Sequence, residues 1–510
     1  MRSLVYILLA GLVLLVAGCR QVTVPDVYEE AEQICAIYPD YRDVTIPVNI
    51  APLHFEWTDS VDEVVSRFLA DGEELVVKGR KVCLTEDEWQ RLVERGVNKA
   101  IQVDMYVQHR GHWKHYRPFN IYVSPDSIDP WLTYRLIAPS YVVYDELILE
   151  QRCLENYETR LIYNNMLCGT SEKGQCVNCH HSQWGNPQYT LFHARQFMGG
   201  TLFNFGGQLK KIDLKTDSTI SAGVYPAWHP KESRLVAFSV NSTKQSFLTR
   251  HIDKVEVFDT MSDLILYDIE RNQICIVAND PKELETFPCW SPDGRWLYYS
   301  SAHFERRNDR IDRETECALR YKEIHYNIYR RSFDPTTRKF GEQELVYDAE
   351  SSGKSATLPR ISPNGRYLMF TIGPYGVFHI WHHDADLWLM DLTTGEVRNM
   401  EEINSPNVES YHSWSSNGRW VVFSTRRYDG NYTRPFFTHI DKYGHGTKPF
   451  ELPCEDPDYH RQFLKSYNIP EFMSGAVTIR PHVFANALKC DGEPVKYVRQ
   501  LNSNAHGDGW

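Results

Sequence analysis

The feature that most constrains this 510-residue chain is a segment it repeats. "YPAWHPKESRLVAFS" from Tyr225, "FPCWSPDGRWLYYSS" from Phe287, "LPRISPNGRYLMFTI" from Leu358 and "YHSWSSNGRWVVFST" from Tyr411 follow one plan. An apolar or aromatic residue opens each copy, usually with Pro next. A Trp or Ile follows, then a turn, then an alternating apolar strand ending in Phe or Tyr beside Ser or Thr. Pro-Asp-Gly and Pro-Asn-Gly are turns with a mechanism, because Pro presets the entry φ and Gly accepts the left-handed position. The copies lie roughly fifty to seventy residues apart, the length of a four-stranded unit with loop insertions. Between them, "SDLILYDIERNQICIV", "HYNIYRRSFDPTTRKF" and "ADLWLMDLTTGEVRNM" each read as a strand, an acidic turn and a return strand, the outer hairpin of such a unit.

The run Trp290-Ser291-Pro292-Asp293-Gly294-Arg295 resembles the repeat of TolB-type β-propellers, known as PD40. The resemblance implies a propeller over residues 199–510 with about six blades. "GGTLFNFGGQLKKIDLKTD" (199–217) is expected to belong to a further blade, and "GAVTIRPHVFA" (475–485) to close the ring. Peptidases that resemble this repeat carry a hydrolase domain after the propeller. Here only about ninety residues follow the last copy, too few for such a domain with its own core, and no G-x-S-x-G elbow is present. The propeller is therefore expected to bind or scaffold rather than catalyse. His379, His382, His383 and His445 are expected to be loop or blade-edge histidines rather than metal ligands.

Residues 19–140 lack the repeat. "DVTIPVNIAPLHFEW" and "EELVVKGRKVCL" read as strands, and "KAIQVDMYVQ" with "WKHYRPFNIYVS" as a hairpin. "LTEDEWQRLVERG" reads as a short helix, with Thr85 and Glu88 as a capping box and Gly96 at its end. The expected fold class is mainly β: an antiparallel β-sandwich-like N-terminal domain and then the propeller. Residues 141–198 are expected to be a linker, with a helix over 141–165.

The chain opens with Arg2 and an uncharged apolar run from Leu4 to Ala17, too short to span a bilayer and the length of a signal-peptide core. Val16-Ala17-Gly18-Cys19 resembles the bacterial lipobox, which implies removal of residues 1–18 and lipidation of Cys19. The expected location is then the bacterial cell envelope, tethered to membrane lipid, in an oxidising compartment. A net charge of −12 argues against a nucleic-acid partner. An envelope protein docking on the propeller is the expected partner.

The remaining chemistry lies in "GQCVNCHHS" (174–182). Cys176, Cys179 and His180 match C-x-x-C-H, the attachment pattern for c-type haem, in which two thiols bond the macrocycle and the adjacent His180 ligates iron. The nearby Asn164, Asn165, Gly169 and Gly174 lead us to expect an exposed loop. Met198 and His193 are the nearest candidates for a distal ligand, although each also reads as a structural residue. Setting aside Cys19 and the motif pair leaves nine of the twelve cysteines, without disulfide-scaffold spacing. A Cys176–Cys179 disulfide, a zinc set including Cys168, and unmodified thiols stay open beside haem c. The order of lipobox, β-rich segment, C-V-N-C-H and PD40 copies is similar to envelope lipoproteins labelled cytochrome c biosynthesis or TolB-like. That likeness implies either a membrane-tethered monohaem protein for electron transfer or cytochrome-related docking, or a non-catalytic scaffold for protein, peptide or glycan with structural cysteines.

Overall fold

The computed structural model describes residues 22–138, 146–170, 172–248 and 252–501. Cys19 and the leader residues 1–18 lie outside them. The chain is mainly β, in several separate sheets with a few short helices.

The repeat explains its own local structure. In three of the four copies a turn serine does two jobs. Ser291 Oγ accepts the Trp296 N–H at 3.0 Å, as Ser362 does for Tyr367 and Ser415 for Trp420, both at 2.9 Å. The same hydroxyls donate to Asp293, Asn364 and Asn417, whose side-chain oxygens accept the N–H of the arginine that follows. Asp or Asn is needed two residues after Ser because only a short acceptor reaches both groups. Gly294 turns the chain at φ +72°, and a Cβ there would lie 2.3 Å from His229 Cε1. In the Tyr225 copy His229 replaces the serine, and its Nδ1 accepts the N–H groups of Lys231 and Glu232.

Each copy begins a four-stranded antiparallel sheet: 224–228 to 273–278, 283–290 to 339–347, 355–361 to 397–399, and 409–414 to 450–451. The first two are joined by one parallel bridge, Ser262 to Leu284. Two more sheets share this plan although their sequences hide it. Gln175–Gln183 opens a sheet with Asn186–Gln196, Gly200–Phe205 and Gln208–Asp213. Ser466–Met473 pairs with Trp131–Ile137, followed by Ile148–Cys153 and Thr159–Asn164.

Three sequence expectations change. Of the helix expected over 141–165, the described part from 146 on holds two strands, because Ile148–Cys153 finds partners on both sides, in Trp131–Ile137 and Thr159–Asn164. The expected linker 141–198 is therefore sheet along most of its described length, and the sheets of the repeat plan begin at Trp131 rather than at 199. The stretch 475–485 supplies no closing strand. It leads into the helix Pro481–Lys489, and Ser466–Met473 is the late strand that returns to pair with an early one.

The N-terminal region holds the expected hairpin, Ala100–His109 with His112–Ser124, and the expected helix, Glu86–Gly96, capped reciprocally by Thr85 and Glu88. Its main sheet is mixed rather than antiparallel, since Glu29–Ile34 and Val44–Pro47 both run parallel to His112–Ser124. Its core is continuous with the Tyr411 sheet: Phe55, Trp57 and Ile121 belong to one buried cluster with Trp420, Phe437 and Phe450.

Candidate functional site

The motif Cys176–His180 lies inside the strand Gln175–Gln183, not in an exposed loop. Cys176 pairs opposite Arg195 and Asn178 opposite His193, and the register then shifts before His181. Cys179 sits at that shift with φ +52°, a left-handed bulge residue. The same device recurs in the other five sheets. Tyr225, Phe287, Leu358, Tyr411 and Ile469 have φ between +47° and +56°, each at a register shift of its edge strand. The six bulge residues line one narrow channel of about 40 Å³. Cys179-His180 thus stands where the other sheets place Tyr225-Pro226, Phe287-Pro288, Leu358-Pro359, Tyr411-His412 and Ile469-Pro470. The signal that could have found this in the sequence is the apolar–Pro/His dipeptide preceding each turn.

This placement decides what the motif residues face. Cys176 and Cys179 are buried, at 9% and 2% exposure, and both are free thiols. Burial pushes the Cys176 thiol above its ordinary range, so it stays protonated. His180 is pushed down to about 4 by burial, and neither ring nitrogen has a hydrogen-bond partner. Cys179 and His180 line the channel, whereas Cys176 lines a separate cavity of about 480 Å³ with Arg135, Asn178, His193 and Arg195. Thioether attachment with His180 on the iron requires both thiols and the imidazole to meet one macrocycle. Among the described residues, Cys179 and His180 line the channel and Cys176 the other cavity.

The other expected ligands are engaged elsewhere. His193 Nδ1 meets Thr201 Oγ1 at 3.0 Å, and burial pushes the imidazole down to about 3. Met198, at φ +55°, packs partly buried against the Phe192–Leu202 cluster. Cys168 donates to the Ala485 carbonyl in the same core. Among the described residues, no group of three or more His, Cys, Asp or Glu is arranged to hold a metal. His379 bonds Thr357, His382 bonds Glu256, and His383 bonds Asp253, all at about 3 Å, while His445 is exposed in a turn.

Beyond the bulges the channel gains polar and aromatic residues that sequence reasoning did not single out. His181 Nδ1 meets Glu471 Oε1 at 2.5 Å, and Ser182 donates to Glu471 Oε2 at 3.1 Å, linking the Cys179 and Ile469 sheets. Burial alone would raise the Glu471 carboxyl, but the adjacent His181 outweighs it and holds the group below its ordinary range. Trp228, Trp290 and Trp414 then surround a cavity of about 150 Å³ with Arg360 and Glu471. The indole N–H of Trp290 donates to Ala227 O at 3.0 Å and that of Trp414 to Arg360 O at 3.3 Å. Each bond crosses to the preceding sheet and fixes a tryptophan rim.

No protein family matches the chain, and no curated protein does. Among solved structures it is similar to an oligogalacturonate lyase in complex with manganese (11% identity, TM-score 0.36), over 63% of this chain and 72% of that one. It is also similar to prolyl oligopeptidase B from Galerina marginata (10% identity, TM-score 0.35), over 83% of this chain and 55% of that one. A DUF4784 family protein from Bacteroides caccae matches at 7% identity and a TM-score of 0.28, over 72% of this chain and 96% of that one. The chain spans little more than half the length of the prolyl oligopeptidase.

Proposed function

We propose that the six sheets are blades of a β-propeller, each with its bulged strand toward the axis, and that the protein is a non-catalytic binding module. In this reading Cys176, Cys179 and His180 belong to one blade's axial strand and act structurally. The observation that carries it is the single channel lined by Cys179, Tyr225, Phe287, Leu358, Tyr411 and Ile469, one bulge residue from each sheet. Six edge strands can share one pocket if their sheets radiate from it, as propeller blades do.

The partner surface in this proposal is the rim of Trp228, Trp290 and Trp414 with Arg360 and Glu471. Rigid aromatic faces supply contact area at low entropic cost, and the two charges supply orientation. A lipid tether at Cys19 and a protein partner in the bacterial envelope complete the proposal. The competing reading, a monohaem electron-transfer protein, rests on the C-x-x-C-H spacing, the expected oxidising compartment and the lipoprotein resemblance.

Periplasmic expression of the full chain together with haem-maturation proteins separates the two. We expect an unstained band on a haem-stained denaturing gel and an intact mass without added haem. A stained band that disappears in Cys176→Ser would sink the structural reading of the motif.

A further inference from the structure

We propose that the 480 Å³ cavity beside the motif strand is a binding site for a small anion bearing a carboxylate or phosphate group, with Arg195 as its principal contact. The cavity opens where the strands Gln175–Gln183 and Val224–Trp228 begin, away from the tryptophan rim. Its size falls within the roughly 300–1,000 Å³ of small-molecule sites.

Charge decides the ligand class. Three cationic side chains, Arg135, Arg195 and Lys215, line the cavity against one carboxylate, Asp213. Lys215 and Asp213 are exposed at its mouth, and the Asp213 carboxylate accepts the Lys215 backbone N–H. His193 adds no charge, since burial keeps its imidazole neutral at physiological pH. Cys176 adds none either, because its thiol stays protonated. Among the described lining residues, and leaving Arg135 aside, Arg195 and Lys215 still outnumber the one carboxylate.

Arg195 is the group that lacks a counter-charge. Its Nε is buried without a hydrogen-bond partner, and the guanidinium lies against the thiols of Cys176 and Cys179 rather than against a carboxylate. It makes no ion pair among the described residues. Arg195 is partly buried, with its Nε shielded from water and no carboxylate beside it among the described residues, so an anion entering the cavity would supply the counter-charge it lacks there. The fork is held from behind: Arg195 is fixed opposite Cys176 in the sheet, and Arg135 is aimed by donating to the Asn178 side chain and the Val177 carbonyl. Such a planar fork reads carboxylate or phosphate through two parallel hydrogen bonds. Around it Gln196, Asn241, Gln245 and Ser221 offer amide and hydroxyl groups for the polar remainder of the ligand. The cavity lies between three sheets, with Arg135 from the Trp131–Ile137 strand, Arg195 from Asn186–Gln196 and Asn241 from Leu235–Phe247.

Calorimetric titration of the full chain in detergent tests this, with succinate, citrate and inorganic phosphate as probes at matched ionic strength and glycerol as the uncharged control. At least one anion is expected to bind and glycerol is not. Arg195→Gln should weaken binding about tenfold or more and Lys215→Gln severalfold, while the distant Arg310→Gln should leave it unchanged. Alkylation of Cys176 in the unmodified chain, followed by mass spectrometry, gives a readout that needs no variant: the bound anion should slow it. No binding of any probe up to about 10 mM overturns the proposal. So does undiminished affinity in Arg195→Gln, or binding that leaves Cys176 alkylation unchanged.

Discussion

The Phe287 sheet and the Cys179 sheet build the same bulge from different chemistry. In the first, Phe287-Pro288 precedes Trp290 and the Ser-Pro-Asp-Gly turn, whose hydroxyl and carboxylate tie down three backbone N–H groups or hydroxyl partners within a few residues. In the second, Cys179-His180 precedes Ser182 and a tight turn at Trp184-Gly185, with φ of +52° and +66°. Two successive left-handed residues suit a two-residue hairpin, so this sheet needs no serine-capped turn. The left-handed backbone at the bulge is unfavourable by about 1–2 kcal/mol for a non-glycine residue. That six different side chains accept it means packing around the shared channel imposes the conformation, not any one residue's preference.

Four experiments break or sharpen that equivalence. The largest effect is expected at the apolar anchor. Phe287→Ala should lower stability by about 3–5 kcal/mol, and Cys179→Ala by only about 1 kcal/mol, in urea melts. Equal losses at both positions would mean the cysteine carries more than a bulge.

Next comes the His181–Glu471 seam between the Cys179 and Ile469 sheets. Glu471→Gln leaves His181 and Ser182 facing a neutral group and should lose about 1–3 kcal/mol by the same measurement. An unchanged midpoint would show that the seam is held by packing alone. The turn itself is worth less: Ser291→Ala removes the acceptor of the Trp296 N–H and should lose about 0.5–1.5 kcal/mol.

The smallest effect in neutral buffer is titration at His180. Its folded value of about 4 lies below the 6.5 of an unfolded imidazole, so below pH 6.5 the unfolded chain binds the extra proton. Stability is therefore full above pH 6.5 and falls as the pH drops toward 4. His180→Asn should make the fall in melting temperature across that window shallower, by one histidine's share among several buried ones (His193, His229, His379 and His412 are depressed likewise), and an unaltered slope would mean His180 is not shielded.

Legibility followed the local devices. The three Ser-x-Asp/Asn-Gly turns, the capping box at Thr85 and Glu88 and the 100–124 hairpin are legible because each is satisfied within a few residues of itself. Ile148–Cys153 was misread as helix because its apolar pattern is shared by both structures until strands arrive on its two edges. The Cys179 sheet is not legible in the sequence because its turn lacks the repeat's signature and its bulge carries cysteine where the repeat has an aromatic residue or leucine. Arg195, Arg360 and Glu471 gave no signal, since a charged residue in a strand looks the same whether it faces water or a channel.

By itself the sequence determined that this chain folds chiefly into repeated antiparallel units, with turns specified residue by residue. Short-range hydrogen bonds and backbone sterics need no knowledge of the rest of the molecule. Only the tertiary structure decided that Cys179-His180 occupies the place of the repeat's aromatic–proline pair, and that Cys176 and His180 face different spaces. It also decided that Arg195 makes no ion pair among the described residues. Burial and charge pairing depend on what the distant chain brings alongside, and that information lies in contacts hundreds of residues apart.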